Sequence, residues 1–278
     1  MISDSWASIV LAEKDEVSVA EAALVIAQDE YPHVVVGDYI QRLDQLADRI
    51  AQNVDPGAGL VATLSSVNRC LFEDEGYDGN RIDYYDPRNS YLNEVMDRHL
   101  GIPITLSVIY IEIGQRLNMP VSGVGFPGHF LVKWSTGDGD VIVDPYSKGE
   151  RLGVEQLNRL LRGVYGDVAP TVNDAPELLA PASKKDILVR ILRNLKQIYQ
   201  SRHDRERTLR ILEKLLAIDP VAGVELRERA SLYEQFDCYR AAIQDLERFR
   251  EISQLGTRDA DDVETALRRL RRMLSSYH

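Results

Sequence analysis

The forty-five residues from Gly101 to Pro145 write one helix and three short strands in close succession, and no other stretch restricts the fold as tightly. Ile104, Ser107, Val108, Ile111 and Leu117 recur at helical spacing, which predicts a buried helix that stops at Asn118, ahead of Pro120. Three β-type runs follow: Val121 to Gly125, His129 to Trp134, and Asp140 to Val143. The last two are joined by Ser135-Thr136-Gly137-Asp138-Gly139, with turn chemistry at Thr136-Gly137 or at Asp138-Gly139. Side chains alternate along a strand, so a hairpin loop with an even number of residues puts His129 and Asp144 on one face. A turn at Thr136-Gly137 makes them directly opposite, and one at Asp138-Gly139 makes them diagonal neighbours. An odd loop separates them.

A carboxylate beside an imidazole fixes its tautomer and supports its cationic form, as the general base of a nucleophile requires. A His at a strand start and an Asp-Pro at a strand end are also ordinary edge features, so spacing alone leaves both readings open.

Linked motifs carry a resemblance. Tyr84-Tyr85-Asp86-Pro87-Arg88-Asn89-Ser90, then Arg98-His99-Leu100-Gly101-Ile102-Pro103-Ile104-Thr105-Leu106-Ser107, then Gly125-Phe126-Pro127-Gly128-His129-Phe130, then Asp144-Pro145, resemble the bacterial SirB-type transglutaminase-like proteins with a tetratricopeptide-repeat tail. The resemblance covers roughly residues 15 to 150 and then the tail. It implies an α+β fold: a helical N-terminal part (1–100), a papain-related core with a small antiparallel sheet (101–152), and an all-α repeat domain. In active members of the wider superfamily a Cys sits near the start of the core helix, two residues after a Gly. Here that place falls on Pro103, which has neither thiol nor hydroxyl and is no nucleophile. His129 and Asp144 match the other two triad positions, and Thr105 is a nearby hydroxyl in a different register.

Ahead of the core, Ser18 with Glu21 forms a capping box for a helix with a small-residue stripe. Asp38 is placed to cap a second helix, and a third is expected from Leu60 to Glu73. Cys70, in that third helix, is the one thiol of the core domain, but its acidic neighbours Glu73, Asp74 and Glu75 would raise its pKa. Gly76 to Asn89 reads as a long ordered loop, with Asn89 or Ser90 capping a helix from Tyr91 to Leu100. Tyr84, Tyr85 and Asn89 are candidates to line a cleft with Pro103 and His129; the tyrosines read equally as packing anchors.

The expected division is a first domain over 1–166, a Pro- and Ala-rich linker over 167–182, and helical repeats over 183–278. Residues 195–216 and 229–250 align at an offset of 34, pairing Tyr199 with Tyr233 and Leu212 with Leu246, with Asp219-Pro220 at the break. A helix from about Ala260 to Ser275 would cap them, with Arg268, Arg269, Arg271 and Arg272 on its solvated face.

The formal charge of −11 argues against a general nucleic-acid binder. It is unevenly spread: residues 1–182 hold 13 Lys+Arg against 28 Asp+Glu, and the remainder 20 against 16. Two cysteines form neither a disulfide framework nor a metal signature, and no segment approaches membrane-spanning length; a cytoplasmic protein without cofactor or metal is expected. Two functions are carried forward. One is a catalytically degenerate module that binds a protein or peptide through cleft and repeat tail. The other is a cysteine-independent amide hydrolase or acyl transferase using His129 and Asp144. Oligomeric state is not legible in the sequence.

Overall fold

The computed structural model describes residues 4–11, 18–55, 57, 59–136, 139–253 and 257–276. The chain divides into two compact units, one formed by Ala12–Ile191 and the other by Met1–Leu11 with Leu192–His278. Helix α1 (Asp4–Leu11) is therefore part of the smaller unit.

The larger unit begins with α2 (Val19–Gln28). Its capping box is formed as the sequence implies: Glu21 N donates to Ser18 Oγ at 3.0 Å, and Ser18 N to Glu21 Oε2 at 2.9 Å. Helix α3 (Val36–Gln52) has Val35 at its cap position, so Asp38 lies in the first turn, where its charge meets the helix dipole, and caps nothing. Helix α4 (Leu60–Asn68) passes into a π-helical turn, Arg69–Asp74, where one uninterrupted helix was expected. Strand β1 (Asp78–Gly79) then pairs in parallel with β2 (Leu100–Gly101), and α5 (Leu92–Arg98) lies between them in sequence. Neither Asn89 nor Ser90 caps α5: Tyr91 holds that position without a side-chain bond.

Helix α6 (Pro103–Arg116) is buried on every side from Pro103 to Gly114, so the helical stripe read from the sequence is only part of its buried surface. It ends before Asn118 because Leu117 and Asn118 leave the helical conformation, Asn118 at φ 56°. Strands β3 (Val121–Val124), β4 (Leu131–Thr136), β5 (Gly139–Asp144) and β6 (Glu150–Leu152) form one antiparallel sheet in that order. Val132 pairs with Val143 and Thr136 with Gly139, leaving two residues between the paired ends. Those two, Gly137 and Asp138, coincide with neither expected turn, Thr136-Gly137 or Asp138-Gly139, because Thr136 and Gly139 are themselves paired; both lie outside the described residues. Strand β4 starts at Leu131, not at His129.

The sheet lies between two helices. On one face α6 comes close at Gly114, where an added Cβ would stand 2.8 Å from Val121 Cγ1 and 3.2 Å from the Trp134 ring. Trp134 is fully buried there, edge-on to Tyr110 with ring centroids 5.9 Å apart. On the other face Leu131 and Ile142 pack with Leu157 and Leu161 of α7 (Val154–Tyr165) and with Val172. The segment read as a linker lies against this unit: Ala182 N donates to Gly123 O at 2.8 Å, and Pro181 bridges to Val124.

The smaller unit holds the rest of α8 (Lys184–Ser201) from Leu192, then α9 (Arg205–Ile218), α10 (Gly223–Gln235), α11 (Tyr239–Ile252) and α12 (Thr257–Ser276). The break between α9 and α10 falls at Asp219-Pro220, as the 34-residue period requires. Leu226, Ala242, Leu246 and Leu267 meet in its core, the last from α12 acting as the cap. Arg269 and Arg271 pair with Glu234 and Glu247 at 2.7 and 2.6 Å, so the arginine face of α12 serves the acids of the repeats. Trp6 of α1 is fully buried in this unit, with Lys214 Nζ of α9 4.8 Å from its ring centroid.

Glu225, 2% exposed, accepts from Arg193 Nε at 3.1 Å and Lys196 Nζ at 3.3 Å. Burial raises its pKa, but Lys196 and Arg193 outweigh burial and hold the carboxyl below its usual range. A pKa depressed by folding contributes stability above the unfolded-state value, and that stability is lost as pH falls through the folded value. Glu225→Gln is expected to cost about 1–3 kcal/mol in urea melts at pH 7. The difference from the parent chain should shrink as the melts are taken down to about pH 3.

Candidate functional site

The start of α6 sets the geometry. Pro103 is its first residue, where a missing N–H costs nothing and the fixed φ suits the helix. The Thr105 hydroxyl, fully buried, donates to Asn89 O at 2.7 Å and accepts from Ile102 N at 3.1 Å. It is thus a cap for α6 and a pin for the loop before α5. The Ser107 hydroxyl, also fully buried, donates to Phe130 O at 3.1 Å, tying the next turn of α6 to the chain just after His129. Both hydroxyls are spent on main-chain carbonyls.

Asn89 is fully buried and holds the loop that carries the tyrosines. Its Nδ2 donates to Asp83 O at 2.7 Å and Tyr84 O at 3.3 Å, and its Oδ1 accepts from Asn80 Nδ2 at 3.1 Å. It is therefore committed to ordering the loop. Tyr84 packs edge-on against Tyr85 and Tyr146, at 5.2 and 6.4 Å between ring centroids. Burial pushes the Tyr84 phenol up, Tyr146 adds to this, and Arg190 opposes it. Tyr85 is 57% exposed.

His129 follows the Pro127-Gly128 turn, in which Gly128 takes a φ of 72° that favours glycine. The turn ends with His129 N donating to Phe126 O, and Arg190 Nη2 donates to His129 O at 3.2 Å. The Nδ1 atom of His129 is buried and has no hydrogen-bond partner among the described residues. Asp144, 4% exposed, uses both carboxylate oxygens on the turn that follows it: Oδ1 accepts from Tyr146 N and Oδ2 from Ser147 Oγ, each at 2.9 Å. No hydrogen bond joins His129 to Asp144 among those of the described residues. The physical reason is local. An Asp directly before Pro145 caps the short 3₁₀ turn Pro145–Ser147, and that turn is nearer than any imidazole.

The structure thus brings Tyr84, Tyr85 and Tyr146 together and places Arg190 in reach of both Tyr84 and the His129 backbone. Arg190 and Tyr146 escaped the sequence reading. Tyr146 was detectable as the neighbour of Asp144-Pro145, whereas Arg190 sits in a helix with no spacing that links it to the core motifs. Among the described residues no three His, Cys, Asp or Glu side chains converge as metal ligands.

Comparison with known proteins agrees with this architecture. Residues 37–193 match the transglutaminase-like superfamily, and residues 195–272 match the tetratricopeptide repeat. A UPF0162 protein of Xylella fastidiosa is 37% identical over 247 residues, 89% of this chain and 88% of that protein. The UPF0162 protein of Pseudomonas aeruginosa is 31% identical over 235 residues, 82% of each. F-box only protein 21 of Homo sapiens is 35% identical over 106 residues, 35% of this chain and 17% of that protein. The α+β reading, a transglutaminase-like region followed by a helical repeat region, holds.

Replacing the Thr105 hydroxyl by a methyl group leaves Ile102 N–H without its partner in a dry site. Thr105→Val is expected to cost about 1–3 kcal/mol, measured as a shift of the urea midpoint.

Proposed function

The chain belongs to the transglutaminase-like superfamily and carries a tetratricopeptide-repeat tail, and we propose that within that family it is a catalytically degenerate module that binds a protein or peptide. The observation that carries this reading is Pro103 at the first position of α6, where the resemblance calls for a thiol. Two further facts support it. Thr105 and Ser107, the nearest replacements, already donate to Asn89 O and Phe130 O. Cys70 is buried in the π-helical turn, where desolvation pushes its thiol up and the Arg49 charge only partly offsets it.

In this reading His129 and Asp144 are the remains of a triad, and His129 has a binding role. Its buried Nδ1 is a spare donor or acceptor for a peptide group entering beside Tyr84 and Tyr85, with Asn89 and Pro103 shaping the wall behind. Tetratricopeptide repeats generally serve protein–protein contact, and the tail adds a second surface for the same partner. A cytoplasmic setting is part of the proposal: both cysteines are free, and no described helix is long and apolar enough to cross a membrane.

The test selects peptides from a displayed random library on the intact chain and compares variants by fluorescence anisotropy. His129→Ala is expected to weaken the selected peptide about tenfold while the thermal melt stays within a few degrees, as one lost buried hydrogen bond would give. Two results would refute the proposal: amide hydrolysis or acyl transfer by the parent chain that His129→Ala abolishes, or peptide affinity indifferent both to His129→Ala and to Tyr84→Ala.

A further inference from the structure

A cavity of about 370 Å³ lies in the larger unit, away from His129; Arg42, Gln45, Arg49, Glu75, Tyr77 and His99 are among the residues that line it. Arg42 and Arg49 are seven residues apart on α3 and so share one face of that helix. Each guanidinium is held from one side. Arg42 Nη1 donates to Asp97 Oδ1 at 2.5 Å and its Nη2 to Met96 O at 2.7 Å, while Arg49 Nη2 pairs with Glu75 Oε1. A guanidinium has five N–H groups, so both keep donors beyond these bonds. Each of the two guanidiniums thus has one carboxylate partner, Glu75 within the lining and Asp97 beside it, and what the lining offers beyond those pairs is unused donors.

Tyr77 is the residue that marks the cavity as built for a ligand. It is 2% exposed and lines the space, yet its hydroxyl makes no hydrogen bond among the described residues. Its hydroxyl is open to the cavity, and burial of the ring pushes the phenol up, so it stands there as a protonated donor. His99 stacks on the Tyr77 ring, with centroids 4.4 Å apart, and adopts a left-handed φ of 56° at the end of α5. Its Nδ1 lies 2.5 Å from Glu75 O. A carbonyl only accepts, so Nδ1 carries the proton and Nε2 is the uncommitted ring atom. Glu75 itself is delivered by the π-helical turn Arg69–Asp74, a distortion that recurs at functional sites.

We propose that this cavity is a binding site for a small oxyanion, the carboxylate or phosphate group of a small molecule, received by Arg42 and Arg49 with the Tyr77 hydroxyl and the Gln45 amide as further donors. Two guanidiniums, a phenol and an amide offer more donors than the Glu75 carboxylate of the lining takes up, and an oxyanion supplies further acceptors. This inference is independent of the peptide-binding proposal.

The experiment is isothermal titration of the intact chain with inorganic phosphate and, separately, with malonate, at constant ionic strength. Saturable one-to-one binding of at least one anion is expected, and the tighter arm identifies the group. Tyr77→Phe removes no hydrogen bond within the protein, so it should melt as the parent does while binding the anion about tenfold more weakly. Arg49→Gln should weaken binding further, and His129→Ala should leave it unchanged. Absence of saturable binding to the parent chain by both anions, or equal affinity in the parent and Tyr77→Phe, would overturn the assignment.

Discussion

The hydroxyl of Thr105 is where the larger unit is tied together. One oxygen donates to Asn89 O and accepts from Ile102 N, so the first turn of α6, the loop that carries Tyr84 and Tyr85, and the approach to α5 are held at a single buried point. Helix α6 depends on that point because it has no exposed face through Gly114; its orphan N–H groups cannot turn to water and must be met by protein. The same bond is what the proposed non-catalytic reading rests on. A hydroxyl already donating to one carbonyl and capping an amide must break those bonds before it can serve a base, and Ser107, two residues on, donates to Phe130 O in a similar way. In the proposed reading, structural demand and the lack of a nucleophile share one cause: the polar groups at the start of α6, which begins at Pro103, are used to hold it.

Around that start, several polar side chains are bonded to backbone. Asn89 braces the loop, Asp144 caps the turn after it, and Arg190 supports the His129 carbonyl. The Nδ1 of His129 is the exception, a buried ring nitrogen that the fold does not satisfy. A native structure tolerates few such atoms, because each forfeits a hydrogen bond that water would have supplied. That unpaired nitrogen is what the proposed peptide contact would satisfy.

What the sequence revealed depended on whether the signal was local. Ser18 and Glu21 bond three residues apart, so their box was legible as written. The 34-residue offset located the break at Asp219-Pro220, since a repeat states its own period. The helix and strands after Gly101 were legible in kind, though α6 is shorter than expected and β4 starts two residues late, because the Pro127-Gly128 turn consumes His129. Non-local competition was invisible. Asn89 has the right chemistry to cap α5, but Asn80, Asp83 and Tyr84 claim its amide. Asp144 has the right register to face an imidazole, but Tyr146 N and Ser147 Oγ take its oxygens first. Arg190 and the Arg42, Arg49 and Tyr77 cavity assemble from segments whose separation in sequence gives no hint of contact.

The most direct test of the central claim is intact-mass spectrometry of the parent chain after single-turnover exposure to activated acyl donors and glutamine-containing peptides. If the hydroxyls at the start of α6 are spent on holding the fold, the mass stays unchanged with every donor. A stoichiometric acyl adduct that maps to Thr105, Ser107 or Cys70, and that disappears in His129→Ala, would contradict the account.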